Sequence, residues 1–256
     1  MKREDRRQAI MDHLATHRAA TLDDLALRFA VSKMTIHRDL DDLEQAGFLR
    51  KLRGGASVEP GTQFESDFRI RARQDMEAKA RMARAAAALV EPGMTVLVND
   101  GSMAAVLAET LLDRRPLTVI TNNAAVIDRL RNEVRLRLIA LGGEFDAKYN
   151  GFFGMVTESA LSRLRADLAF ISSPAVSGLS VFHMDPDVVR TKRAMMAAAG
   201  QSCLLVNHKR FGTAALHLLA GLAEFQTIIT DDDPGPDARA LLETAGLSLT
   251  IAKETP

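Results

Sequence analysis

The segment from Leu22 to Ala56 restricts the fold of this chain more than any other part of the sequence. Apolar residues recur in it at helical spacing, first over Leu22–Phe29 and again over Ile36–Leu43. The short interval at Ala30-Val31 leaves room only for a tight turn between the two predicted helices. The basic stretch from Phe48 to Ala56 contains two glycines, which favours a short hairpin. The segment therefore predicts a helix-turn-helix followed by a wing.

Polar and glycine residues stand at the expected ends of these helices. Thr21 and Ser32 precede the two helices as N-cap residues, whose side chains accept hydrogen bonds from the first free amides. Gly47 follows the second helix as a C′ residue. Upstream, apolar residues at helical spacing predict a further helix over Arg6–His17.

The outward face of the second predicted helix carries groups that suit duplex DNA. In a helix-turn-helix the N-terminal part of the second helix enters the major groove, where Lys and Arg donate to guanine. The hairpin adds basic side chains for phosphate. The predicted DNA contacts are Ser32, Lys33, Thr35, His37, Arg38, Arg50, Lys51 and Arg53. The alternative is a small helical bundle with solvated charges, or a winged domain that makes protein contacts.

The charge balance limits the kind of DNA binding to expect. The whole chain has 33 Lys and Arg against 33 Asp and Glu, and residues 1–57 have 11 against 9. A protein that coats DNA without specificity has a large basic excess. We therefore expect a site-specific reader that works as a homo-oligomer, a dimer or a tetramer, because one helix-turn-helix reads few base pairs.

The composition is typical of an ordinary globular protein, with 47% hydrophobic and 26% charged residues. No apolar run reaches the length of about 18 residues that a membrane span needs. The N-terminus lacks the apolar core of a signal peptide. The one cysteine, Cys203, cannot form an internal disulfide. We expect a cytoplasmic protein with no metal or cofactor.

Two domains joined by a linker are predicted: a DNA-binding domain over residues 1–57, a linker over 58–75 and an effector-binding domain over 76–256. Pro60-Gly61 and mixed charge without periodicity are typical of a linker. Beyond Met76, strand-like apolar runs alternate with helical stretches. The runs cover residues 94–99, 117–121, 136–141, 168–172, 202–207, 226–230 and 248–252. This alternation predicts an α/β domain with a parallel sheet between two layers of helices.

Polar or glycine residues follow several of the predicted strands. Carboxyl ends of parallel strands share one edge of the sheet, and ligands bind beyond that edge. Asp100-Gly101-Ser102 opens a helix whose free amides can hold a phosphate, and the segment after 202–207 adds cations. The candidate effector contacts are Asp100, Gly101, Ser102, Thr121, Asn122, Gly142, Gly143, Asn207, Lys209 and Arg210. Together they predict a small, polar, phosphorylated ligand.

The N-terminal signature resembles that of the DeoR family of bacterial transcriptional regulators. The family pattern runs Val-Ser, two variable residues, Thr-Ile-x-Arg-Asp-Leu, then a leucine, a glycine and a closing Gly-Gly-Ala. The matching residues are Val31, Ser32, Thr35, Ile36, Arg38, Asp39, Leu40, Leu43, Gly47, Gly54, Gly55 and Ala56. His37 stands where many members have Arg, which implies a different base preference.

The second half of the chain is similar to the sensor domain of the same family. The similar residues are Asp100-Gly101-Ser102, Thr121-Asn122, Gly142-Gly143, Ala166–Phe170, Lys192-Arg193 and Phe211-Gly212. The resemblance implies a fold like that of ribose-5-phosphate isomerase and CoA-transferases, and it adds Lys192 to the effector contacts. It also implies a repressor of carbohydrate or polyol metabolism genes, relieved by a phosphorylated sugar or related metabolite.

The sequence departs from the family pattern around the predicted pocket. Met103 replaces the Thr or Ser that commonly completes the first anion loop. Asn207 stands in place of the Asp of an Asp-x-Ser-Lys-Phe-Gly pattern. In that pattern Lys209 occupies the Ser position and Arg210 the Lys position. The pocket stays polar and cationic, but its contacts to the effector are expected to differ.

The implied fold also allows an enzyme, a sugar-phosphate isomerase that carries a DNA-binding module. Isomerisation needs a positioned carboxylate base, for which Asp100, Glu144 and Asp185 are the candidates. The sequence has no paired acid and base motif that requires catalysis, and Asn207 in place of Asp argues against it. A third alternative is a protein-interaction module whose pocket binds nothing. We predict a regulator and not an enzyme.

Overall fold

The structure, a computed structural model, describes residues 1–58 and 64–253. The chain forms two compact units, Met1–Gln74 and Asp75–Pro256. Of the predicted linker, Pro60-Gly61 lies outside the described residues, and Phe68–Arg73 forms a helix that belongs to the first unit.

The first unit consists of helices and a small antiparallel sheet. Its helices are α1 (Arg3–His17), α2 (Leu22–Phe29), α3 (Lys33–Gln45) and α4 (Phe68–Arg73). Its strands are β1 (Ala19–Thr21), β2 (Arg50–Leu52) and β3 (Gly55–Ser57), paired in the order β1-β3-β2. Strands β2 and β3 are the wing, so the predicted winged helix-turn-helix is confirmed.

Side-chain caps begin both helices of the motif, as predicted. Thr21 Oγ1 accepts a hydrogen bond from the amide of Asp24 at 3.1 Å, and Ser32 Oγ accepts one from the amide of Thr35 at 3.2 Å. At the wing, a Cβ on Gly55 would lie 2.3 Å from a backbone carbonyl oxygen of β1. Only glycine therefore lets β3 approach β1 closely enough to pair.

A buried carboxylate joins α1 to α3. Asp39 is 1% exposed, and Arg6 donates to its two carboxylate oxygens at 2.6 Å and 3.2 Å. Arg3 and Arg7 lie 3.9 Å and 3.7 Å from Asp39 Oδ1. The hydrogen bond to Asp39 raises the pKa of Arg6. Around this pair the helices bury an apolar core that includes Ile10, Leu14, Leu25, Ile36 and Leu40.

The second unit alternates strands and helices. Its strands are β4 (Thr95–Val98), β5 (Leu117–Thr121), β6 (Leu136–Ala140), β7 (Glu144–Asp146), β8 (Gly151–Phe153), β9 (Ala166–Ser172), β10 (Ala175–Ser177), β11 (Ser180–His183), β12 (Ala199–Leu205), β13 (His217–Gly221), β14 (Thr227–Thr230) and β15 (Leu249–Ile251). Its helices are α5 (Met76–Ala87), α6 (Ser102–Leu111), α7 (Ala124–Leu130), α8 (Met155–Leu161), α9 (Pro186–Ala197) and α10 (Pro236–Thr244).

Seven of these strands form one parallel sheet in the order β15-β14-β12-β9-β4-β5-β6. These are the seven strands that the apolar runs predicted. The chain proceeds outward from β4 to β6, returns to β9, and then proceeds outward in the other direction. The strand order therefore reverses between β4 and β9, which is where ligands bind in sheets of this kind.

The sheet separates two apolar cores. Val96 and Val98 pack with residues of α5, α6 and α7, whereas Leu97 packs with residues of α8, α9 and α10. Cys203 lies in the first core, and burial raises the pKa of its thiol to about 12. No helix within the described ranges is long and apolar enough to cross a membrane.

Five short strands of the second unit, like β1 of the first, were not predicted from the sequence. Strands β7 and β8 form a hairpin, and β10, β11 and β13 form a small antiparallel sheet. Each has three to five residues, and all but β8 mix apolar with polar side chains. Such segments lack the continuous apolar run that marks a central parallel strand.

Replacing Asp39 by Ala is expected to loosen the contact between α1 and α3. Arg6 is 8% exposed and would keep its charge without a partner. Removing one member of a buried ion pair costs about 3 to 5 kcal/mol. Amide hydrogen exchange of the full-length protein, read by mass spectrometry, should therefore be more than about 100-fold faster in α1 and α3.

Glu4→Ala is the matched control, since this carboxylate is 84% exposed and pairs with Arg7 at 3.6 Å. An exposed pair contributes little, so exchange should change by no more than about threefold. Equal protection of α1 in the Asp39 variant and the parent protein would mean that the buried pair does not hold the two helices.

Candidate functional site

The first turns of α3 present one exposed face. Its exposed side chains are Lys33, Met34, His37 and Arg38. The hydroxyls of Ser32 and Thr35 lie 2.9 Å apart and belong to the helix cap. These two predicted contact residues therefore fix the start of α3. The exposed side chains lie on the turns that come after this cap.

One carboxylate connects α3 to the wing. His37 Nδ1 lies 3.1 Å from Asp41 Oδ2, and Lys51 of β2 is ion-paired with Asp41. Lys51 Nζ is also 3.4 Å from His37 Nε2. The hydrogen bond from Lys51 lowers the pKa of Asp41, so this carboxylate stays ionised near neutral pH. The wing lysine and the helix histidine thus meet on the predicted DNA-binding face.

The other cations of this face differ in their partners. Lys33 is ion-paired with Asp23 of α2. Arg38 and Arg53 are exposed, and their side chains have no hydrogen-bond or ion-pair partner in the part of the chain that the structure describes. Arg50 is half-buried, and its Nε finds no partner within the same residues. All eight predicted DNA contacts lie at the start of α3 or in the wing.

The second unit has a buried ion pair where its strand order reverses. Lys192 of α9 and Asp100, which follows β4, are each 2% exposed. Lys192 Nζ donates a hydrogen bond to the carbonyl oxygen of Ser172 at 2.8 Å and lies 3.5 Å from Asp100 Oδ1. Within the described residues Asp100 Oδ1 accepts no hydrogen bond. The pair is therefore buried, and its hydrogen bonds are incomplete among the described residues.

Helix α6 begins directly beside this pair. Its N-cap is Gly101 with φ 97°, a conformation that favours glycine, and no described side chain caps it. Asn123 donates to the carbonyl oxygens of Asn99 at 3.3 Å and Gly101 at 2.9 Å and so holds this loop from β5. The first-turn amides of α6 carry the unpaired donors that an anion can satisfy.

Two other predicted contacts follow β5. Thr121 Oγ1 donates to the carbonyl oxygen of Val98 at 2.6 Å and accepts from the amide of Asn123 at 3.1 Å, so Thr121 ties β5 to β4. Asn122 Nδ2 donates to the carbonyl oxygen of Phe152 at 2.9 Å. Its Oδ1 is buried and lacks a hydrogen-bond partner among the described residues. Of the two, only Asn122 keeps a polar atom available.

The two predicted glycines after β6 have a packing role. Thr157 Oγ1 donates to the carbonyl oxygen of Gly142 at 2.6 Å. Gly143 has φ 146°, and a Cβ there would lie 2.3 Å from Thr157 Oγ1 and 2.4 Å from the carbonyl oxygen of Phe153. This close approach explains glycine at position 143 without any ligand.

A separate polar group lies at the ends of β12 and β14. Asn207 Nδ2 and His208 Nδ1 lie 3.1 Å and 3.0 Å from Asp231 Oδ2, and the amide of His208 donates to Oδ1 at 2.8 Å. Lys209 Nζ is 3.5 Å from Asp75. Asn207, in place of the family's Asp, thus serves as a donor to Asp231. Arg210 is half-buried at the end of the short 3-10 helix His208–Arg210 that follows β12.

The predicted effector contacts therefore form a centre and two flanks along one edge of the sheet. Lys192, Asp100 and the start of α6 are the centre. Sequence reasoning missed Ser172, Asn123 and Asp231, which hold these groups in place. Asp231 directly follows a predicted strand, and Asn123 comes two residues after another. The rule that polar residues at strand ends form the site could therefore have found both.

Replacing Lys192 by Met is expected to destabilise the second unit, because Asp100 would stay buried without its cation. The cost is about 3 to 5 kcal/mol. Cys203, the one cysteine of the chain, is buried in this unit and reacts with thiol reagents only when the unit opens. Its labelling rate in the full-length protein should rise more than about 100-fold.

Lys253→Met is the control, since Lys253 is exposed and has no ion pair within residues 1–58 and 64–253. It removes the same charge and should leave the labelling rate unchanged. Equal labelling of Cys203 in both variants would mean that Lys192 does not stabilise this edge of the sheet.

Comparison with protein families gives a match in each unit. Residues 6–60 match the model of the DeoR-like helix-turn-helix domain, and residues 74–232 match that of the DeoR C-terminal sensor domain. Among solved structures, ribose 5-phosphate isomerase A from Methanocaldococcus jannaschii aligns with a TM-score of 0.40 and 17% identity, over 54% of this chain and 55% of that one.

Curated relatives align over nearly the full chain. The chain is 32% identical to the uncharacterized HTH-type transcriptional regulator YgbI of Escherichia coli (strain K12), over 97% of this chain and 98% of the relative. It is 28% identical to the glycerol-3-phosphate regulon repressor of the same strain, over 98% and 100%. These relatives are named as regulators, which favours a regulator over the enzyme alternative. The chain belongs to the DeoR family and is a DNA-binding transcriptional regulator.

Proposed function

We propose that this regulator represses genes of carbohydrate or polyol metabolism and leaves its operator when a small phosphorylated metabolite binds at the carboxyl edge of the parallel sheet. A relative of 28% identity that is named as a glycerol-3-phosphate regulon repressor supports this class of effector. Binding of the effector favours an arrangement of the protein that does not hold DNA.

The buried pair of Lys192 and Asp100 is the observation that carries the proposal. Lys192 is 2% exposed, and a cation so deeply buried is costly unless anionic groups surround it. A phosphate there receives hydrogen bonds from Lys192 Nζ and from the first-turn amides of α6 at Gly101-Ser102. Asp100 Oδ1 and Asn122 Oδ1 are buried acceptors without hydrogen-bond partners among the described residues, and they accept hydrogen bonds from ligand hydroxyls.

Arg210 and Lys209 add positive charge on the β12 side of the same edge. Arg is suited to bidentate phosphate contacts, because its guanidinium presents a planar set of N–H donors that matches two phosphate oxygens. We therefore assign the larger part of the phosphate recognition on this flank to Arg210.

DNA binding is assigned to the α3 face and the wing. Arg38 contacts a base edge or a phosphate in the major groove, while Arg53 and Lys51 contact phosphates. The protein binds as a homo-oligomer, because one such motif spans only a few base pairs and residues 1–57 have only two basic charges in excess.

A thermal-shift screen tests the effector assignment directly. Sugar and polyol phosphates, sn-glycerol 3-phosphate among them, are each compared with the unphosphorylated parent. A phosphorylated member should raise the melting temperature and its parent should not. The same compound should then release the protein from a duplex that contains the region upstream of its own gene. A screen in which no phosphorylated compound acts would contradict the proposal.

Arg210→Ala is expected to weaken the effector response about tenfold while effector-free DNA binding stays unchanged, because this guanidinium lies on the effector edge. The concentration of effector that releases half of the DNA is read by fluorescence anisotropy. Arg137→Ala, at an exposed position of β6 without a described partner, is the control. Equal effector sensitivity in both variants would remove Arg210 from the site.

Asp41→Ala is expected to strengthen non-specific DNA binding, because Lys51 and His37 lose the carboxylate that holds them. One cation freed for a phosphate makes the slope of log Kobs against log salt steeper by about 0.9. Asp5→Ala removes an equal charge from α1, where Asp5 is exposed and has no ion pair in the described ranges. If both variants change the slope equally, only net charge matters and the Asp41 contact does not restrain the wing.

A further inference from the structure

Few side chains of the α3 face are available to read bases. Of residues 33–38, which the structure describes in full, Lys33, Met34, His37 and Arg38 are exposed. Two of these four are already engaged by neighbouring carboxylates. Lys33 is ion-paired with Asp23, and His37 is hydrogen-bonded to Asp41 and Lys51.

The hydroxyl groups of the same segment are engaged as well. Ser32 and Thr35 are bonded to each other at 2.9 Å, and Ser32 accepts from the amide of Thr35. A base contact by either hydroxyl would have to break the N-cap of α3. Met34 and Arg38 are therefore the two side chains that can reach a base without giving up an existing contact.

Met34 is a large apolar side chain at a solvent-facing position of α3. It is 63% exposed, and burial of such a side chain against an apolar group is favourable. Met34 and Arg38 are four residues apart, so they lie on the same side of α3 one turn from each other. The pair thus presents the flexible apolar side chain of Met34 beside the guanidinium group of Arg38.

We propose that Met34 contacts the methyl group of a thymine and that Arg38 donates to the O6 and N7 atoms of a guanine in the major groove. The inference rests on the proposed role of α3 as the DNA-reading helix. Thymine alone offers an apolar group in that groove, and Arg to guanine is the commonest specific contact. Four residues of helix rise about 6 Å, and stacked bases are about 3.4 Å apart, so the two bases lie within about two base pairs.

The assignment gives the engaged residues another role. Lys33 and His37 keep their carboxylate partners and contribute charge and orientation, not base preference. The Asp23 and Asp41 carboxylates therefore restrict the number of bases that α3 distinguishes, and they leave the choice of sequence to Met34 and Arg38.

The experiment is a selection from a random duplex library with the full-length protein. The parent protein, Met34→Ala, Arg38→Ala and Leu27→Ala are compared. Leu27 lies on α2 and is 85% exposed, so its variant controls for loss of an exposed apolar side chain. Ala is favourable in helices, and all four proteins should have the same melting temperature.

The parent and Leu27→Ala should select the same duplex, with a thymine and a guanine close together in each half-site. Met34→Ala should lose the preference for that thymine alone, and Arg38→Ala the preference for that guanine alone. Uracil in place of the selected thymine removes only the methyl group. It should weaken the parent about fourfold, the value of one buried methyl group, and leave Met34→Ala unaffected.

Three other results would overturn the inference. Selection of the same thymine by Met34→Ala, with the same response to uracil, would exclude Met34 as the reader. A uniform loss of affinity in Arg38→Ala, with unchanged base preference, would make Arg38 a phosphate contact. Failure of the parent to enrich any duplex would count against sequence-specific DNA reading as a whole, and the Met34 assignment would fall with it.

Discussion

The parallel alignment of seven strands is the constraint on which the second unit depends. It brings every carboxyl end of those strands to one edge, and the reversal of order opens that edge between β4 and β9. A buried cation can persist there only because Ser172 and Asp100 surround it with oxygen atoms. The proposed ligand site thus follows from the strand order, and the loops after the strands provide its polar groups.

The first unit has a smaller apolar core. Its four helices enclose that core, and the carboxylate of Asp39 fixes α1 against α3 by a directional contact with Arg6. Asp39 directly follows Arg38 in the chain. The buried side of α3 is therefore anchored through Asp39, while the Arg38 side chain is exposed. Recognition of DNA requires such rigidity, because base contacts depend on position to within fractions of an ångström.

The sequence was sufficient for the elements whose signals are local. The sequence predicted the caps at Thr21 and Ser32 and the seven apolar strands. It could do so because a helix cap and a fully buried strand each depend on a few consecutive residues. The short strands β10, β11 and β13 could not be predicted, since they lack a continuous apolar run, and β13 also pairs with a strand distant in the chain.

The site residues divide in the same way. The strand-end rule led to Asp100 and Asn122, but it could not reveal that Gly143 is required by contact with Thr157, or that Asn207 donates to Asp231. The role of Lys192 came from family resemblance, because a lysine in the middle of a helix has no local mark of burial. Hydrogen bonds between residues distant in the chain decide which polar groups stay available to a ligand. The periodicity of apolar residues carries no information about those hydrogen bonds.

The shared carboxylate of Asp41 has a consequence for how quickly the protein finds its target. In the free protein this carboxylate occupies the place on Lys51 that a DNA phosphate would take. Every encounter with random sequence must exchange one negative partner for another, which yields little net gain. On the proposed assignment of Lys51 to a DNA phosphate, residence on random sequence is therefore brief. A shorter residence at each wrong site shortens the search for the operator.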